Sequence, residues 1–426
     1  MGRRRASRLL AALLLLAAVP HAAEARRRFV PQEHRTLQGA LNAAETGDTI
    51  WVAAGVYPGP FEIRKRLVLF GEGGPDSTIL DGGDSVRVLH VEGVRGGSLI
   101  GFGIRRGKAN GGGGIQCVRD SSFEIRDCTF TKNWESAVGV WASDEISMGG
   151  CRVRQNKGTG VRFNNSTGAV FTCEFTENEG YDGGALALVG SHLVIPLREN
   201  LFERNRAHGA TGGAVNAADS SEATIANCTF RENSTDVAGG AVAVMSGSMV
   251  NVSRSFFQKN HGGSAGALHA DGSSMNVGYS IFDRNTAVVA AAAVGIVRRK
   301  TANVNPVLSN NTFYQNDTGD GGTLYFVDVS PEVRNNIFVV SRDQRAVSGM
   351  QTTPRFDCNL IWDPSGGSIG ALPSANTWVG DPLFCDAERG NFKLRDLSPA
   401  LRAPCGPIGA LSEKAGCASF RLQPAN

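Results

Sequence analysis

The 426-residue chain carries almost balanced charge, with 43 basic and 40 acidic residues. Residues 1 to 25 contain four arginines and one glutamate, so the remainder of the chain holds 39 residues of each kind. A protein that binds the phosphate backbone of a nucleic acid is expected to present a basic surface. The balance therefore argues against a nucleic-acid partner.

Apolar segments that could span a bilayer are absent as well. The apolar run from Leu9 to Val19 follows an arginine-rich start and precedes Ala23-Glu24-Ala25, a small-x-small cleavage sequence. This order is typical of a secretory signal peptide, and the run is too short for a membrane span. We expect residues 1–25 to be cleaved, no transmembrane segment to follow, and the mature chain to be secreted or periplasmic.

Helical periodicity is confined to one segment, Arg35 to Gly47. Thr36 is placed to cap it, four apolar residues follow at helical spacing, and Gly47 ends it. The later sequence consists of short alternating stretches divided by Gly, Asn and Asp turns, with no window periodic enough for a helix. The chain is therefore predicted to be almost entirely β-structure.

A short phrase recurs between Ser122 and Phe338. Each copy contains a small polar residue, an apolar anchor two residues later and, in all copies but the last, Asn three residues after the anchor. The anchors lie 22 to 31 residues apart. They are Phe130, Val153, Phe175, Phe202, Phe230, Phe257, Phe282, Phe313 and Phe338. A period in this range, with short strands between turns, predicts a solenoid.

Stacked coils of this size predict a right-handed parallel β-helix of roughly ten to twelve coils. Aligned coils place the apolar anchors on top of one another, about 4.8 Å apart, and the Asn side chains in an inner ladder. Cys128, Cys151 and Cys173 share one stacked position as small buried groups. No metal site is assigned, because no CxxC spacing or nearby His completes a tetrahedral set.

The pattern divides the chain into a signal peptide (1–25), an N-terminal capping segment (26–48), the β-helix (49–345) and a last coil with an irregular C-terminal cap (346–426). Caps are needed because a terminal coil exposes its core and its strand edges. Four cysteines, at 358, 385, 405 and 417, lie outside the inner stack. An exported protein permits disulfides; we favour Cys385–Cys405, with Cys405–Cys417 as the alternative.

Several phrases near the two ends carry a resemblance to a known family. They are Gly47-Asp48-Thr49-Ile50, Gly55-Val56-Tyr57, Leu69-Phe70-Gly71-Glu72-Gly73, Thr78-Ile79-Leu80-Asp81-Gly82, Gly101-Phe102-Gly103-Ile104 and, later, Gly380-Asp381-Pro382-Leu383-Phe384. Together they resemble pectin-lyase-like right-handed parallel β-helix proteins of the secreted bacterial type, and the opening coils resemble pectin methylesterases. The resemblance implies an exported polysaccharide lyase or hydrolase that acts on acidic glycans.

The catalytic phrases of those enzymes are not found in this sequence, so catalytic residues stay unassigned. A noncatalytic carbohydrate-binding protein, cell-surface scaffold or adhesion protein is the alternative. We assign no cofactor, although a lyase could hold Ca²⁺ with clustered acids. Asp182, Asp236 and Asp320 recur near Gly turns. We expect their side chains to bond the local backbone there.

The residues after each Gly turn alternate, which defines an outward row along one sheet. The row is predicted to contain Gln116, Trp141, Arg162, Ala187, Asn216, Ala243, His269, Gly295 and Tyr325. A second outward row is predicted to contain Ser143, Asn164, Met245 and Asp271. Consecutive members would lie on adjacent coils about 5 Å apart, so that an extended ligand could cross them.

Side chains in these rows suit an acidic sugar polymer. An aromatic face contacts sugar C–H groups, and Arg binds a uronate carboxylate in a bidentate manner. We predict that Gln116, Trp141, Arg162 and Asn164 bind a polysaccharide or cell-envelope glycan, and that the protein is a monomer. The alternative is that Trp141 packs under a neighbouring loop and Arg162 is solvated. We expect His269 and Asp271 to be a solvated pair.

Overall fold

The computed structural model describes residues 25–191, 195–298, 305–341, 344–366, 376–412 and 416–417. Within them the chain winds into stacked coils, and strands of successive coils pair in parallel to form three long sheets. Two of these sheets have 14 strands and one has 12. The right-handed parallel β-helix is thus confirmed, with about 13 coils instead of ten to twelve.

The three long sheets are numbered by their order within a coil. Sheet 1 contains Arg27–Val30, Thr49–Val52, Val68–Gly71, Ser98–Ile100, Glu124–Arg126, Ile146–Gly149, Gly168–Phe171, Ile195–Arg198, Glu222–Ala226, Met249–Ser253, Ser274–Gly278, Val307–Ser309, Glu332–Arg334 and Arg355–Asp357. Sheet 2 contains Gly55–Pro58, Thr78–Asp81, Gly103–Arg105, Thr129–Thr131, Arg152–Arg154, Glu174–Thr176, Leu201–Glu203, Thr229–Arg231, Phe256–Gln258, Ile281–Asp283, Thr312–Tyr314, Ile337–Val339, Leu360–Trp362 and Trp378–Val379. Sheet 3 contains Phe61–Ile63, Leu89–Glu92, Ile115–Val118, Trp134–Trp141, Lys157–Asn164, Leu186–Val189, Val215–Ala218, Val242–Met245, Leu268–Asp271, Ala290–Val297, Gly321–Val327 and Arg345–Met350.

Smaller elements complete the fold. A narrow parallel sheet of two-residue strands lies between sheets 2 and 3 in the later coils: Glu179–Gly180, Arg206–Ala207, Ser234–Thr235, His261–Gly262, Thr286–Ala287 and Asp317–Thr318. The C-terminal region contains an antiparallel pair, Phe384–Asp386 with Asn391–Leu394, and two 3₁₀ turns, Ala387–Arg389 and Pro399–Leu401. These elements pack their apolar side chains against the outside of sheet 2 near Tyr314.

The N-terminal helix spans Leu37–Ala43 and buries Leu37, Ala40 and Leu41. Thr36 caps it as predicted, since its Oγ1 accepts a hydrogen bond from the Gly39 amide at 3.1 Å. The helix ends four residues before Gly47, however. Asp48 explains the early end: its carboxylate accepts hydrogen bonds from the amides of Glu45 and Arg26, at 2.9 Å each, and this pairing turns the chain toward sheet 1.

The interior of the β-helix contains the predicted column of aromatic rings. From Phe175 to Phe338 the seven anchor rings stack with centroids 4.7 to 5.0 Å apart. The predicted Asn ladder is also present, because each amide from Asn133 to Asn285 donates from Nδ2 to Oδ1 of the Asn on the next coil, at 2.8 to 3.0 Å. Side-chain identity therefore repeats at the coil spacing, as stacking requires.

Two further ladders line the other turns. Cys128, Cys151 and Cys173 are buried at the turn between sheets 1 and 2, as predicted. At the turn between sheets 3 and 1, the backbone amide of one coil donates to a serine Oγ of the next. Ser143 belongs to this buried ladder, so its predicted place in an outward row is wrong. A hydroxyl bonded to a turn amide cannot point to solvent at the same time.

The four C-terminal cysteines form two disulfides, Cys358–Cys405 and Cys385–Cys417. Both pairings proposed from the sequence are therefore wrong, because the C-terminal segment folds back across sheet 2 and brings distant positions together. The predicted signal peptide falls almost entirely on residues 1–24, which lie outside the described residues. Among the residues that are described, no helix is long and apolar enough to cross a membrane.

Coil length differs between the early and the later coils in the segment that leads into sheet 3. Lys157 and Val161 are four positions apart, whereas their equivalents on the next coil, Glu179 and Leu186, are seven apart. The coil of Trp134 is equally short. In these two short coils the chain runs straight into sheet 3 as the continuous strands Trp134–Trp141 and Lys157–Asn164. Most of the longer coils insert a Gly-rich turn, and the coil of Ala290–Val297 inserts an Ala-rich segment instead.

Candidate functional site

The pairing within sheet 3 corrects the predicted outward rows. Gln116 is aligned with Gly139 and then Arg162, whereas Trp141 is aligned with Val118 and Asn164. Trp141 therefore lies in the second outward row, beside Asn164, and its predicted place between Gln116 and Arg162 is wrong. Gly139 resembles a turn glycine in the sequence, but the short coil has no turn and Gly139 lies within the strand.

Most of the first outward row is covered in the later coils. Ala187 and Ala243 are fully buried, and Asn216 and His269 are 6% and 9% exposed. The Gly-rich turns lie over them: Thr211 donates from Oγ1 to Asn216 Oδ1 at 3.1 Å. The expectation of a solvated His269 is wrong, and its burial lowers the pKa of the imidazole although Asp271 acts to raise it.

Gln116, Trp141, Arg162 and Asn164 form a partly exposed surface on this face, at the ends of strands that include Trp134–Trp141 and Lys157–Asn164. A loop, residues 107–113, borders it on the N-terminal side, and the turn at residues 181–185 borders it on the C-terminal side. We call this surface, with Asp182, the Trp141 site.

Gly111 holds one side of the Trp141 site together. The indole Nε1 of Trp141 donates to the Gly111 carbonyl oxygen at 2.8 Å. Gly111 has φ of +75°, and a β-carbon there would lie 2.9 Å from Gln116 Nε2 and 3.3 Å from Trp141 Nε1. Glycine is therefore required at this position. It lets the side chains of Gln116 and Trp141, which belong to different rows, both pack against the loop at Gly111.

Arg162 forms the other side of the site. Its Nη1 donates to Asp182 Oδ2 at 3.0 Å, and its guanidinium carbon lies 6.0 Å from the centre of the Trp141 ring. This combines an ion pair with a cation–π contact, while 24% of the side chain stays exposed. Asp182 was expected to bond its own turn and instead pairs with Arg162; Asp236 likewise pairs with Arg206 at 3.2 Å.

A cluster of charged residues lies on the same face, on the first coils of sheet 3. Glu62 and His90 are aligned in the first outward row, and Glu92 lies two residues beyond His90. Arg64 donates to Glu62 at 2.7 Å and to Glu92 at 3.1 Å, and Arg119 pairs with Glu92. Sequence analysis missed this cluster because the first coils lack the repeated Phe and Asn. The alternation Leu89-His90-Val91-Glu92 was the available signal.

The same cluster contains the candidate metal ligands of the described residues. One ligand atom each from Glu62, His90 and Glu92 lie within 4.8 Å of one another. Ca²⁺ prefers six to eight oxygen ligands, whereas this set includes an imidazole and faces two guanidinium groups that neutralise the carboxylates. The residues therefore do not fit Ca²⁺. The hydrogen bond from Arg64 also lowers the pKa of Glu62 below its ordinary value.

One buried carboxyl lies directly behind this face. Asp120 is 3% exposed and accepts a hydrogen bond from the Val94 amide at 2.8 Å, while its Oδ2 has no partner. Burial raises the pKa of Asp120 to about 6, although amide hydrogen bonds act in the opposite direction. Asp120 also begins the serine ladder, because its amide donates to Ser143 Oγ at 3.0 Å.

A family model described as "Right handed beta helix region" matches residues 98–211 and 198–361. Because the match covers more than half of the sequence, the chain belongs to this family, and its fold is the pectin-lyase-like β-helix. No curated protein matches the chain.

The fold is similar to that of solved structures. The alginate lyase AlyGC has a TM-score of 0.51 and 12% identity, over 91% of this chain and 57% of the lyase, so the chain spans little more than half of that enzyme. The A-module of mannuronan C-5 epimerase AlgE4 from Azotobacter vinelandii has a TM-score of 0.44 and 11% sequence identity, over 80% of this chain and 89% of the module. The pectate lyase Pel9A has a TM-score of 0.39 and 12% sequence identity, over 89% of this chain and 91% of the lyase.

Proposed function

We propose that this is an exported protein that binds an acidic polysaccharide in the Trp141 site. The observation that carries the proposal is the contact between Trp141 and Arg162, which lie on adjacent coils in neighbouring outward rows and are held between two walls. A guanidinium recognises the carboxylate of a uronate, and an indole contacts the apolar face of the sugar ring. Both side chains remain partly exposed between these two walls.

Further features of the site support this ligand class. Tyr181, the chain neighbour of Asp182, is 79% exposed and places a second aromatic ring on the C-terminal wall. Gln116 and Asn164 supply amide donors and acceptors for sugar hydroxyl groups. The alginate lyase of similar fold acts, by its name, on alginate, a uronate polymer. Export is supported by the pattern of residues 1–25 and by the two disulfides.

Binding without catalysis is the role that the charges favour. A glycosidase needs one accessible carboxylic acid with a raised pKa. Asp120 has a raised pKa but is buried, and Arg64 holds the pKa of the exposed Glu62 below its ordinary value. Glu92 is also neutralised, by Arg64 and Arg119. A lyase that uses His90 as the base, with these arginines on the substrate carboxylate, is the second candidate.

The test is a panel of alginate, polygalacturonate and neutral glucans, scored for binding and for unsaturated or reducing-end products. We expect binding of an acidic polymer and no neutral one, without product. Trp141→Ala and Arg162→Ala should each weaken binding about tenfold, the loss expected for one charge-assisted contact. Unchanged affinity in both variants would refute the site, and unsaturated product that disappears in His90→Gln would establish the lyase instead.

A matched control is available at the turn between sheets 1 and 2. Arg254 also lies over an aromatic ring, with its guanidinium carbon 5.3 Å from the centre of Tyr279. Arg254→Ala removes the same kind of pair from a surface outside the Trp141 site. Its affinity for the acidic polymer should stay within twofold of the unsubstituted protein.

A further inference from the structure

We infer a second binding site, for an anionic sugar unit, at the opposite end of the two short coils. Its centre is Trp134, which is 37% exposed, and its cations are Lys108, Lys132 and Lys157. Trp134, Lys132, Lys157, Gln155 and Asp84 line a depression of about 370 Å³, and Lys108 lies over the Trp134 ring. We call this group the Trp134 site.

Register places the Trp134 site on three successive coils. The Trp134 amide donates to the Gly107 carbonyl at 2.9 Å, which aligns Trp134 with Lys108, and the next coil aligns it with Lys157. The Lys108 and Lys157 Nζ atoms lie 5.1 and 4.9 Å from the centre of the indole ring. Lys132 lies two residues before Trp134, at a turn with φ of +55°.

The indole orders the two ammonium groups without neutralising them. A cation–π contact fixes a cation against the negative face of the ring and leaves its positive charge in place. Among the residues that the structure describes, no carboxylate lies within ion-pair distance of Lys108, Lys132 or Lys157. Arg64, Arg119 and Arg162 on sheet 3, in contrast, are each paired with an acid. The three lysines therefore present an excess of positive charge over the single acid of the lining, Asp84.

The surface beyond Gln155 and Lys157 carries both acidic and basic side chains, which suits an acidic glycan better than a nucleic acid. A second depression of about 530 Å³ continues along the coils and is lined by Glu177, Glu179, Arg204, Arg206, Glu232 and Ser234. A nucleic acid would bring a phosphate to each step and would meet three carboxylates there. A glycan with one acidic unit at the lysines could instead place hydroxyl groups over this mixed surface, donating to Glu and accepting from Arg. The charges therefore favour a glycan.

This second site stands independently of the Trp141 site. Trp134 and Trp141 are the first and last residues of one strand, seven positions apart, which sets their backbones at most roughly 23 Å apart. Substitution at one end leaves the residues of the other end in place. The two sites can therefore be tested separately.

The experiment uses the full chain carrying Trp141→Ala and Arg162→Ala, so that binding at the first site is weakened in every variant compared. Into it are introduced Lys108→Gln, Lys132→Gln and Lys157→Gln together; all three side chains are exposed, so the fold is expected to persist, as circular dichroism would verify. The control is Lys259→Gln, an exposed lysine at the turn position equivalent to Lys132, with φ of +52°, but outside the site. Probes are oligogalacturonate, a sulfated heparin oligosaccharide, a neutral dextran and single-stranded DNA.

The triple variant should lose at least tenfold in affinity for oligogalacturonate, for the heparin oligosaccharide or for both, and the probe that responds shows whether carboxylate or sulfate is recognised. Binding should weaken with added salt, dextran should not bind, and Lys259→Gln should stay within twofold. Acidic glycans that do not bind, or that bind the triple variant equally well, would overturn the inference. DNA that binds more tightly than either glycan and loses affinity in the triple variant would overturn the ligand class.

Discussion

The short coils and the longer coils share one interior but differ on the outside. In both, inward residues of sheet 3 are buried and the Asn ladder runs without interruption. In the longer coils a Gly-rich turn covers the first outward row, and Ala187 and Ala243 beneath it are fully buried. In the two short coils that turn is missing, and Arg162 of the first outward row is partly exposed, although Gly139 lies under the Gly111 backbone.

The difference shows how a solenoid can create a site without altering its core. Three residues of coil length separate the coil with the partly exposed Arg162 from the next coil, in which Ala187 is covered. Long surface insertions cost little free energy, so the outer turn can vary while the stacked interior stays constant. In the first outward row the short coils expose part of Arg162, whereas the covered positions hold Ala, Gly, Asn and His.

The largest expected effect tests the shared interior. Phe230→Ala in a longer coil should lower the free energy of unfolding by about 4 kcal/mol, because it removes a ring stacked on both sides. Val153→Ala in a short coil should cost about 2 kcal/mol, since less buried apolar surface is lost. Urea unfolding of both variants measures the two values. Equal costs would show that the interior is not organised by the column of rings.

The next effect concerns Asp120, at the N-terminal border of the short coils. Because burial raises its pKa to about 6, above the ordinary value of 3.8, the folded protein holds a proton between pH 4 and 6 that the unfolded chain releases. Stability should therefore fall as pH rises through this window. Asp120→Asn should abolish that fall and stabilise the protein at pH 7 by about 3 kcal/mol. Urea unfolding at four pH values checks the slope, and the same slope in both proteins would contradict the assignment.

A third prediction converts a short coil into a longer one. Insertion of Asp-Gly-Gly between Gly158 and Thr159 gives the Lys157 coil the length of the next coil and should cover Arg162. Binding of the acidic polymer should weaken at least tenfold, while the unfolding free energy changes by about 1 kcal/mol or less. The same insertion after Val288, an exposed residue in an already long coil, is the control and should leave binding unchanged. If the first insertion variant kept its affinity for the acidic polymer, the length of the Lys157 coil would not control binding.

The smallest effect concerns His269 on the covered face. Burial lowers its pKa below the ordinary value of 6.5, so the folded protein keeps it neutral while the unfolded chain takes up a proton. This contribution to stability is present above pH 6.5 and is lost as pH falls, opposite in sign to that of Asp120. His269→Gln should reduce the loss of stability on acidification. If the His269→Gln variant lost as much unfolding free energy between pH 7 and pH 5 as the unsubstituted protein, the burial of a neutral His269 would be contradicted.

Much of the fold followed from the sequence because stacking repeats the same residue type at each coil. Phe202, Phe230 and Asn205 were placed correctly by spacing alone. The site was harder to predict. Gly139 looks like Gly114, yet it lies within a strand because the short coil has no turn. Glycine is needed there for another reason: a β-carbon at Gly139 would lie about 2 Å from the Gly111 carbonyl oxygen. The length of the coil, and not the few residues around a glycine, decides whether that glycine lies in a turn or in a strand.

Contacts between distant segments could not be predicted from the repeat. The disulfide Cys358–Cys405 depends on how the C-terminal segment crosses sheet 2, and that segment has no period. Glu62, His90 and Glu92 converge because the first coils are in register with the later ones, although they lack the Phe and Asn markers. The spacing of the anchors did indicate the two short coils, because Phe130, Val153 and Phe175 are only 23 and 22 residues apart. These are the coils that carry Trp141, Arg162 and Asn164.

The most direct test is a crystal structure of the protein with an acidic hexasaccharide of the polymer that binds best. Our account predicts a sugar ring against Trp141, with a carboxylate at hydrogen-bond distance from the Arg162 guanidinium and the chain lying across the two short coils. A hexasaccharide bound over the covered coils between Leu186 and Asp271, with the Trp141 site empty, would contradict it.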